Sequence, residues 1–388
     1  ILAQAILAQA VRLKRYWLQA HPVWRIALLA YRHTTAHDCA RGCLLRMSES
    51  GDDSAEEYTD SSEVNAPPHS SSSGIQGVVA LVVVILVFSS NGVAYKKLFV
   101  GDPELFTPCS VLCGSNLFGM VTCLPLYYKD LSCANMKAIT SLQWFFLIFE
   151  TICYSGLGPL LYLIALQHIT IASAAILGRL ESLEFLVLAI LLLGEKVDCW
   201  SLANSALTLI GILVALLSPP LFGQQLEFSS GFVLMVCSGL FYVASLVVTK
   251  KWLVCIPIGI LAMVRLSLGT LIYHVMVLLQ RGDVGVTEIY TQAYWSQVWW
   301  YAVLYVSLAQ TLWLTALAHA GSTAISVGTT SLFVLTLLWA MAVLDSFPTG
   351  PQWLGSAFIV ASVLSSIARS IKQGGVNKAA AAAAADDD

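Results

Sequence analysis

Six ionisable residues lie inside stretches of this chain that are otherwise apolar: Glu150, Arg179, Glu181, Glu184, Arg265 and His274. A charge at the centre of a bilayer costs about 2.5–3.5 kcal/mol even on the gentlest scale. Facing lipid, the set would cost of order 15 kcal/mol, comparable to the stability of a whole domain. These side chains must therefore face protein or water, where they pair with one another or hold a polar solute. Glu181 and Glu184 are three residues apart and share a helical face, while Arg179 points nearly the opposite way. Glu184 is the expected cavity carboxylate, suited to an ammonium group or a coupling proton. Arg265 is suited either to an anionic group of a solute or to neutralising Glu181 or Glu184. Arg179 and Glu181 read equally as a brace to neighbouring helices. Glu150 reads as structural or interfacial, and His274 as a helix-end histidine.

Other chemistries lack their residues. There is no CxxC pair, nucleophile elbow or phosphate loop, so no metal, no cofactor and no enzymatic reaction is expected. Most of the ten cysteines, including Cys109, Cys113 and Cys123, fall in or beside apolar segments, where cysteine behaves as a small hydrophobe. A net charge of −3 without a basic stripe argues against a nucleic-acid partner.

The elements that position these residues follow from composition. The chain has 388 residues, 57% hydrophobic and only 11% charged, with mean hydropathy +0.76. A soluble domain carries about 25% charged residues. The partner of such surface is a lipid bilayer, which each helix crosses with about 20 apolar residues. The pattern predicts an all-α integral membrane protein with ten spans, near 75–95, 105–127, 141–165, 171–193, 200–218, 230–249, 256–279, 297–317, 322–344 and 351–370. Trp295, Trp299, Trp300 and Tyr301 read as an interfacial aromatic belt, and Gly156, Gly158 and Pro159 as a kink in the third span. Lys129, Lys137, Lys196, Lys250 and Lys251, with Arg369, Lys372 and Lys378 in the tail, outnumber Lys96, Lys97 and Arg281 on the other side. That asymmetry predicts both termini in the cytoplasm.

Residues 165–218 and 316–367 read as two copies of one unit. Each opens on Ala-Leu-x-His, at Ala165 and Ala316, and continues through small and hydroxyl residues into an apolar run. An acid follows (Glu195, Asp345), then a tryptophan (Trp200, Trp353) and a second apolar run. Tyr95-Lys96-Lys97 and Thr249-Lys250-Lys251 add a weaker echo. The halves are 75–218 and 229–370. Five spans per half make the second enter from the opposite side, so the repeats are inverted, an arrangement associated with secondary transport. Small residues at Ala172–Ala175, Gly321–Ala324 and Gly328-Thr329-Thr330-Ser331 suit close helix packing. Thr330, Ser331 and Gln310 are further pathway candidates, as are Trp313 and Tyr242.

Leu177-Gly178-Arg179-Leu180-Glu181-Ser182, followed by Leu193-Gly194-Glu195, resembles a motif of the EamA-type transporters of the drug/metabolite transporter superfamily. Ser89–Lys96 is similar to that family's opening helix and Gln352–Gly355 to its closing one. The resemblance covers about 300 residues. It implies alternating access by two inverted five-helix repeats. The family's proline in the fourth span is Ser182 here, its counterpart in the ninth is Ser331, and the second acid motif is reduced to Leu344-Asp345. Without proline the helix break expected at the site is weakened; Ser182 is a further pathway candidate. The ninth span has no Lys or Arg, which argues against a phosphate-ester substrate.

Outside the spans, residues 1–46 carry seven Lys or Arg against one acid and read as a targeting or upstream segment, with Met47 as a start. Residues 47–74 hold seven acids, nine Ser and no Lys or Arg, a composition expected to be disordered. Residues 371–388 form a low-complexity tail. The expectation is a carrier for a small-molecule substrate, amino-acid-like because charges of both signs lie inside, with a coupling proton or ion. A nucleotide-sugar, phosphate-ester or cation carrier is the alternative within transport. A scaffold or sensor is the alternative outside it.

Overall fold

The computed structural model describes residues 71–193, 199–217, 230–253, 255–319 and 322–385. Expectations for residues 1–46, for most of the acidic segment and for Glu195 lie outside these residues. Within them all regular structure is helical. The helices are α1 (Ser71–Gly101), α2 (Pro108–Tyr127), a short α3 (Cys133–Ala138), α4 (Ser141–His168), α5 (Ile171–Leu177), α6 (Leu180–Leu188), α7 (Cys199–Leu217), α8 (Ser230–Trp252), α9 (Ile258–Ile289), α10 (292–319), α11 (Ser322–Leu344) and α12 (Gly350–Ala385). Segments in α1, α2, α4, α7, α8 and α9 are long and apolar enough to cross a membrane, and α11 holds a shorter apolar stretch.

Helix starts are set by hydroxyl caps. Thr107, Thr140, Thr170 and Thr291 each accept a bond from the backbone N–H three residues on, and Gln143 completes a capping box with Thr140. These caps satisfy amides that an apolar surrounding would leave unpaired. The acidic segment gives way to helix at Ser71. The alanine-rich tail is helical to Ala385, as alanine's high helix propensity allows.

The helices pair in a repeating scheme: α2 against α9, α7 against α12, α8 against α4, and α10 and α11 against α1. Midway along α4 and α10 the helix widens into π segments, Ile152–Leu157 and Ala302–Leu308. The expected kink at Gly156–Pro159 takes this form. Beside them lie two glycines about 150 residues apart. A Cβ on Gly269 would meet Ser155 of α4 at 3.3 Å, and one on Gly119 would meet Val306 of α10 at 2.9 Å.

Helices α7 and α12 cross at Gly211 and Gly355. A Cβ on Gly211 would lie 2.7 Å from the Gly355 carbonyl, and one on Gly355 would collide with the Gly211 carbonyl. Thr208 and Ser362 hydroxyls bond nearby at 2.9 Å. Gly211→Val should force the pair apart and cost about 1–3 kcal/mol, read as a lower denaturation midpoint in detergent.

Two expectations need correction. Trp295 and Tyr301 are buried, Trp295 beside Phe118 and Tyr294, so these two fill the core, while Trp299 and Trp300 stay half-buried. Packing of α10 on α2 takes their faces before lipid can. Second, the fourth span does break despite lacking proline. Helix α5 ends at Gly178, and Ser182 Oγ donates to the Arg179 carbonyl at 2.7 Å. A hydroxyl bonding locally competes with the helical ladder, and glycine weakens it further.

Candidate functional site

The ionisable residues gather where α4, α6, α8 and α9 meet. Arg265 on α9 is buried with Glu150 of α4. Its Nε donates to Glu150 Oε2 at 3.2 Å and its Nη2 to Oε1, a two-pronged contact. The guanidinium also lies 3.9 Å from the centre of the Tyr154 ring, one turn along α4. Both carboxylate oxygens of Glu150 are thereby used, as a buried ion pair requires. The expected pairing of Arg265 with Glu181 or Glu184 does not occur. Glu150 is the nearer acid and meets the guanidinium fork with both oxygens.

Glu181 and Glu184 on α6 face α8, as their spacing implies. Both pack against Gly239, whose missing side chain leaves room for them. A Cβ there would lie 2.5 Å from Glu184 Oε2 and 3.1 Å from Glu181 Cγ. Both oxygens of Glu184 are buried and accept no hydrogen bond from protein groups. Arg179, in the break between α5 and α6, turns the other way, with its guanidinium 5.8 Å from the Phe333 ring of α11. It also acts electrostatically on Glu181.

Aromatic side chains complete the site. Tyr154 and Tyr242 meet edge to face at 5.6 Å. Glu181 is near enough to act on the hydroxyls of Tyr154, Tyr162 and Tyr242. These four residues are each half-buried. Sequence reasoning named Tyr242 but missed Tyr154 and Tyr162. Their spacing along α4 from Glu150, at one and about three turns, was the available signal.

The remaining candidates scatter. Ser182 is exposed, and its hydroxyl donates to the Arg179 carbonyl at the break. Gln310 is buried in α10. Ser331 is half-buried in α11. The backbone of Thr330 is helical, and its side chain lies outside the described residues.

A second polar cluster was not foreseen. Cys113 Sγ lies 2.9 Å from His274 Nδ1, and His274 Nε2 lies 2.7 Å from the Tyr290 hydroxyl. His274 thus ties α2 to Tyr290 just beyond α9, and it stands about two turns before the helical backbone of α9 breaks at Gly282. Burial, then Cys113, pushes the Tyr290 hydroxyl above its ordinary range, so it remains a neutral partner. Asn91 with Tyr301 and Ser90 with Tyr305, each at 2.8 Å, link α1 to α10. Among the described cysteines seven are free thiols and Cys255 is disulfide-bonded.

Gly239→Leu should push Glu181 and Glu184 off α8, because a Cβ there would lie 2.5 Å from Glu184 Oε2. Uptake is expected to fall at least about tenfold, the effect of roughly 1.4 kcal/mol, with the protein still eluting as a folded species in detergent.

Comparison with known proteins bears on the same region. Residues 75–217 match the EamA-like transporter family. A protein named as an uncharacterized transporter, from Synechocystis sp. (strain ATCC 27184 / PCC 6803 / Kazusa), is 23% identical over 311 residues, covering 77% of this chain and 88% of that protein. One crystal structure superposes with a TM-score of 0.51 at 16% identity, over 74% of this chain and 94% of its own. At that identity the likeness concerns the fold alone.

Proposed function

We propose that this chain, whose residues 75–217 form an EamA-like transporter domain, is a secondary transporter of a small polar metabolite carrying a protonated amine. One observation carries the reading. Inside an apolar bundle the Glu184 carboxylate packs on Gly239 beside Glu181, and no protein group bonds its buried oxygens. A buried carboxylate without partners is costly. Intramembrane ionisable groups of this kind mark solute or ion pathways. Amino-acid-like solutes fit the mixed charge of the interior, with the ammonium at Glu184. Arg265 braces α4 to α9 and does not meet the solute.

The architecture that suits this function is ten spans in two inverted halves, 75–218 and 229–370, with both termini in the cytoplasm. The pairing scheme supports it. Advancing each helix by one half carries α2–α9 and α7–α12 onto themselves, and α4–α8 onto α10–α1. The two π segments and the glycines Gly119 and Gly269 match in the same way. Alternating access follows if α6, hinged at Gly178-Arg179, swings its acids away from Gly239 to admit solute.

The test is flux. Full-length protein in liposomes should take up labelled amino acids or amines saturably. A signal no greater than that of empty liposomes, across aliphatic and aromatic amines and amino acids, would reject transport of this class.

A further inference from the structure

We infer that Lys251 is a latch: its ammonium group holds α6 closed against α8, and its release opens the face of the membrane on which it lies. The inference rests on the transport reading above and names what keeps the moving part shut. The two pieces of the broken span have separate supports. The first, α5, is pinned at its start. Lys96 Nζ of α1 donates to the Ile169 carbonyl at 2.9 Å, just ahead of α5. Gln352 of α12 donates to Ser173 Oγ at 3.1 Å, and Thr170 Oγ1 donates to the same hydroxyl. Ala172 and Ile176 then pack into one apolar cluster with Phe333 and Leu337 of α11 and Ile212 of α7. Contacts from α1, α7, α11 and α12 thus fix α5 in place.

The second piece is held differently. The acids of α6 rest on Gly239 of α8, and Glu184 takes no hydrogen bond from that helix. Past α6 the chain continues as a π segment, Ala189–Leu193. Carbonyls at such an end have no partner within their own helix, and a cation there is favoured by the helix dipole. Lys251 of α8 donates to one of them, that of Leu192, at 2.7 Å. Its ammonium group lies 4.9 Å from the centre of the Trp252 ring. That ring in turn stacks on Phe146 of α4, with centres 4.2 Å apart, so the donor is aimed from a fixed floor. Leu192 is about 12 Å along the helix from Glu184. Lys251 therefore acts on Glu184 through α6, as a positioning residue. In the ten-span architecture proposed above, the carbonyls of Ile169 and Leu192 stand at opposite ends of one span, so Lys96 and Lys251 serve opposite faces of the membrane. Releasing Lys251 frees α6 on one face while Lys96 keeps the other closed.

The test reads the exposure of Glu184 and needs no solute. Full-length protein in detergent is treated with a water-soluble carbodiimide and glycinamide, which convert an accessible carboxyl group to an amide. Peptide masses give the rate at Glu184 and, as a control, at Glu150, whose oxygens Arg265 holds. Lys251 is exposed, so Lys251→Met should stay folded. It should speed modification of Glu184 about fivefold, the effect of losing roughly 1 kcal/mol of closure, and leave Glu150 unchanged. Lys251→Arg keeps a donor and should restore the slow rate. Lys96→Met should lower the denaturation midpoint without speeding Glu184. An unchanged Glu184 rate in Lys251→Met would overturn the latch. Equal acceleration at Glu150 would mean general loosening and would overturn it too, as would acceleration by Lys96→Met in place of Lys251→Met. Each of these failures, with liposome flux intact, leaves transport standing. Uptake no greater than that of empty liposomes removes transport, and the latch with it.

Discussion

Glu184→Gln is expected to abolish transport while leaving the protein at least as stable as before. The two effects have one cause. A carboxylate whose oxygens are both buried and accept no bond from protein groups destabilises the fold. Glutamine keeps the shape and removes the charge, so the denaturation midpoint should stay level or rise. The same change removes the counterion of the solute. Losing one partner of a desolvated charge pair costs about 2–5 kcal/mol, so transport should fall by a factor of roughly 30 to several thousand. The paired readout is liposome flux and thermal unfolding on one preparation. Full flux in the variant would remove Glu184 from the pathway, and a sharp loss of stability would make it a structural residue.

The second large effect is the reverse. Removing one member of the Arg265–Glu150 pair should unfold the protein before it touches selectivity. Glu150→Gln or Arg265→Met leaves an uncompensated buried charge, expected to cost about 3–5 kcal/mol. The double change Glu150→Leu with Arg265→Met should recover most of that, because a buried pair replaced by apolar side chains is often neutral. A double-mutant cycle in chemical denaturation measures the coupling. Had Arg265 been a solute-binding cation, the single variants would stay folded and lose transport, so the cycle separates the two roles.

Much of the architecture was legible because a bilayer imposes length and hydropathy on every crossing segment. Helix ends at Tyr127, His168, Trp252 and Leu344 lie within a few residues of the expected ones. The shared face of Glu181 and Glu184, and the opposite sense of Arg179, followed from helix geometry alone. The partner of Arg265 did not. Glu150 is 115 residues away in sequence, and pairing across helices depends on which faces meet. In a soluble helix the polar face reveals that, but a span is apolar on both its lipid and its packed side. The same blindness hid the burial of Trp295 and Tyr301 and the nearness of Tyr154 and Tyr162 to Glu181. The break after Gly178 was masked for a different reason. Proline is the usual mark of a break, and here Gly178 with the Ser182 hydroxyl, four residues on, makes one through hydrogen bonds.

The broken α5–α6 has no twin, for α11 runs continuously from Ser322 to Leu344. In the proposed two-repeat architecture the halves then differ in conformational energy. In an alternating-access cycle that inequality sets the resting population, the fraction of molecules waiting open to each side. Apparent affinity on a face is weakened by the fraction of molecules not open to it. The solute should then bind with different half-saturation concentrations from the two sides of one membrane. Its net movement would still be dictated by the gradients alone, since a bias built into the protein shifts populations and performs no work.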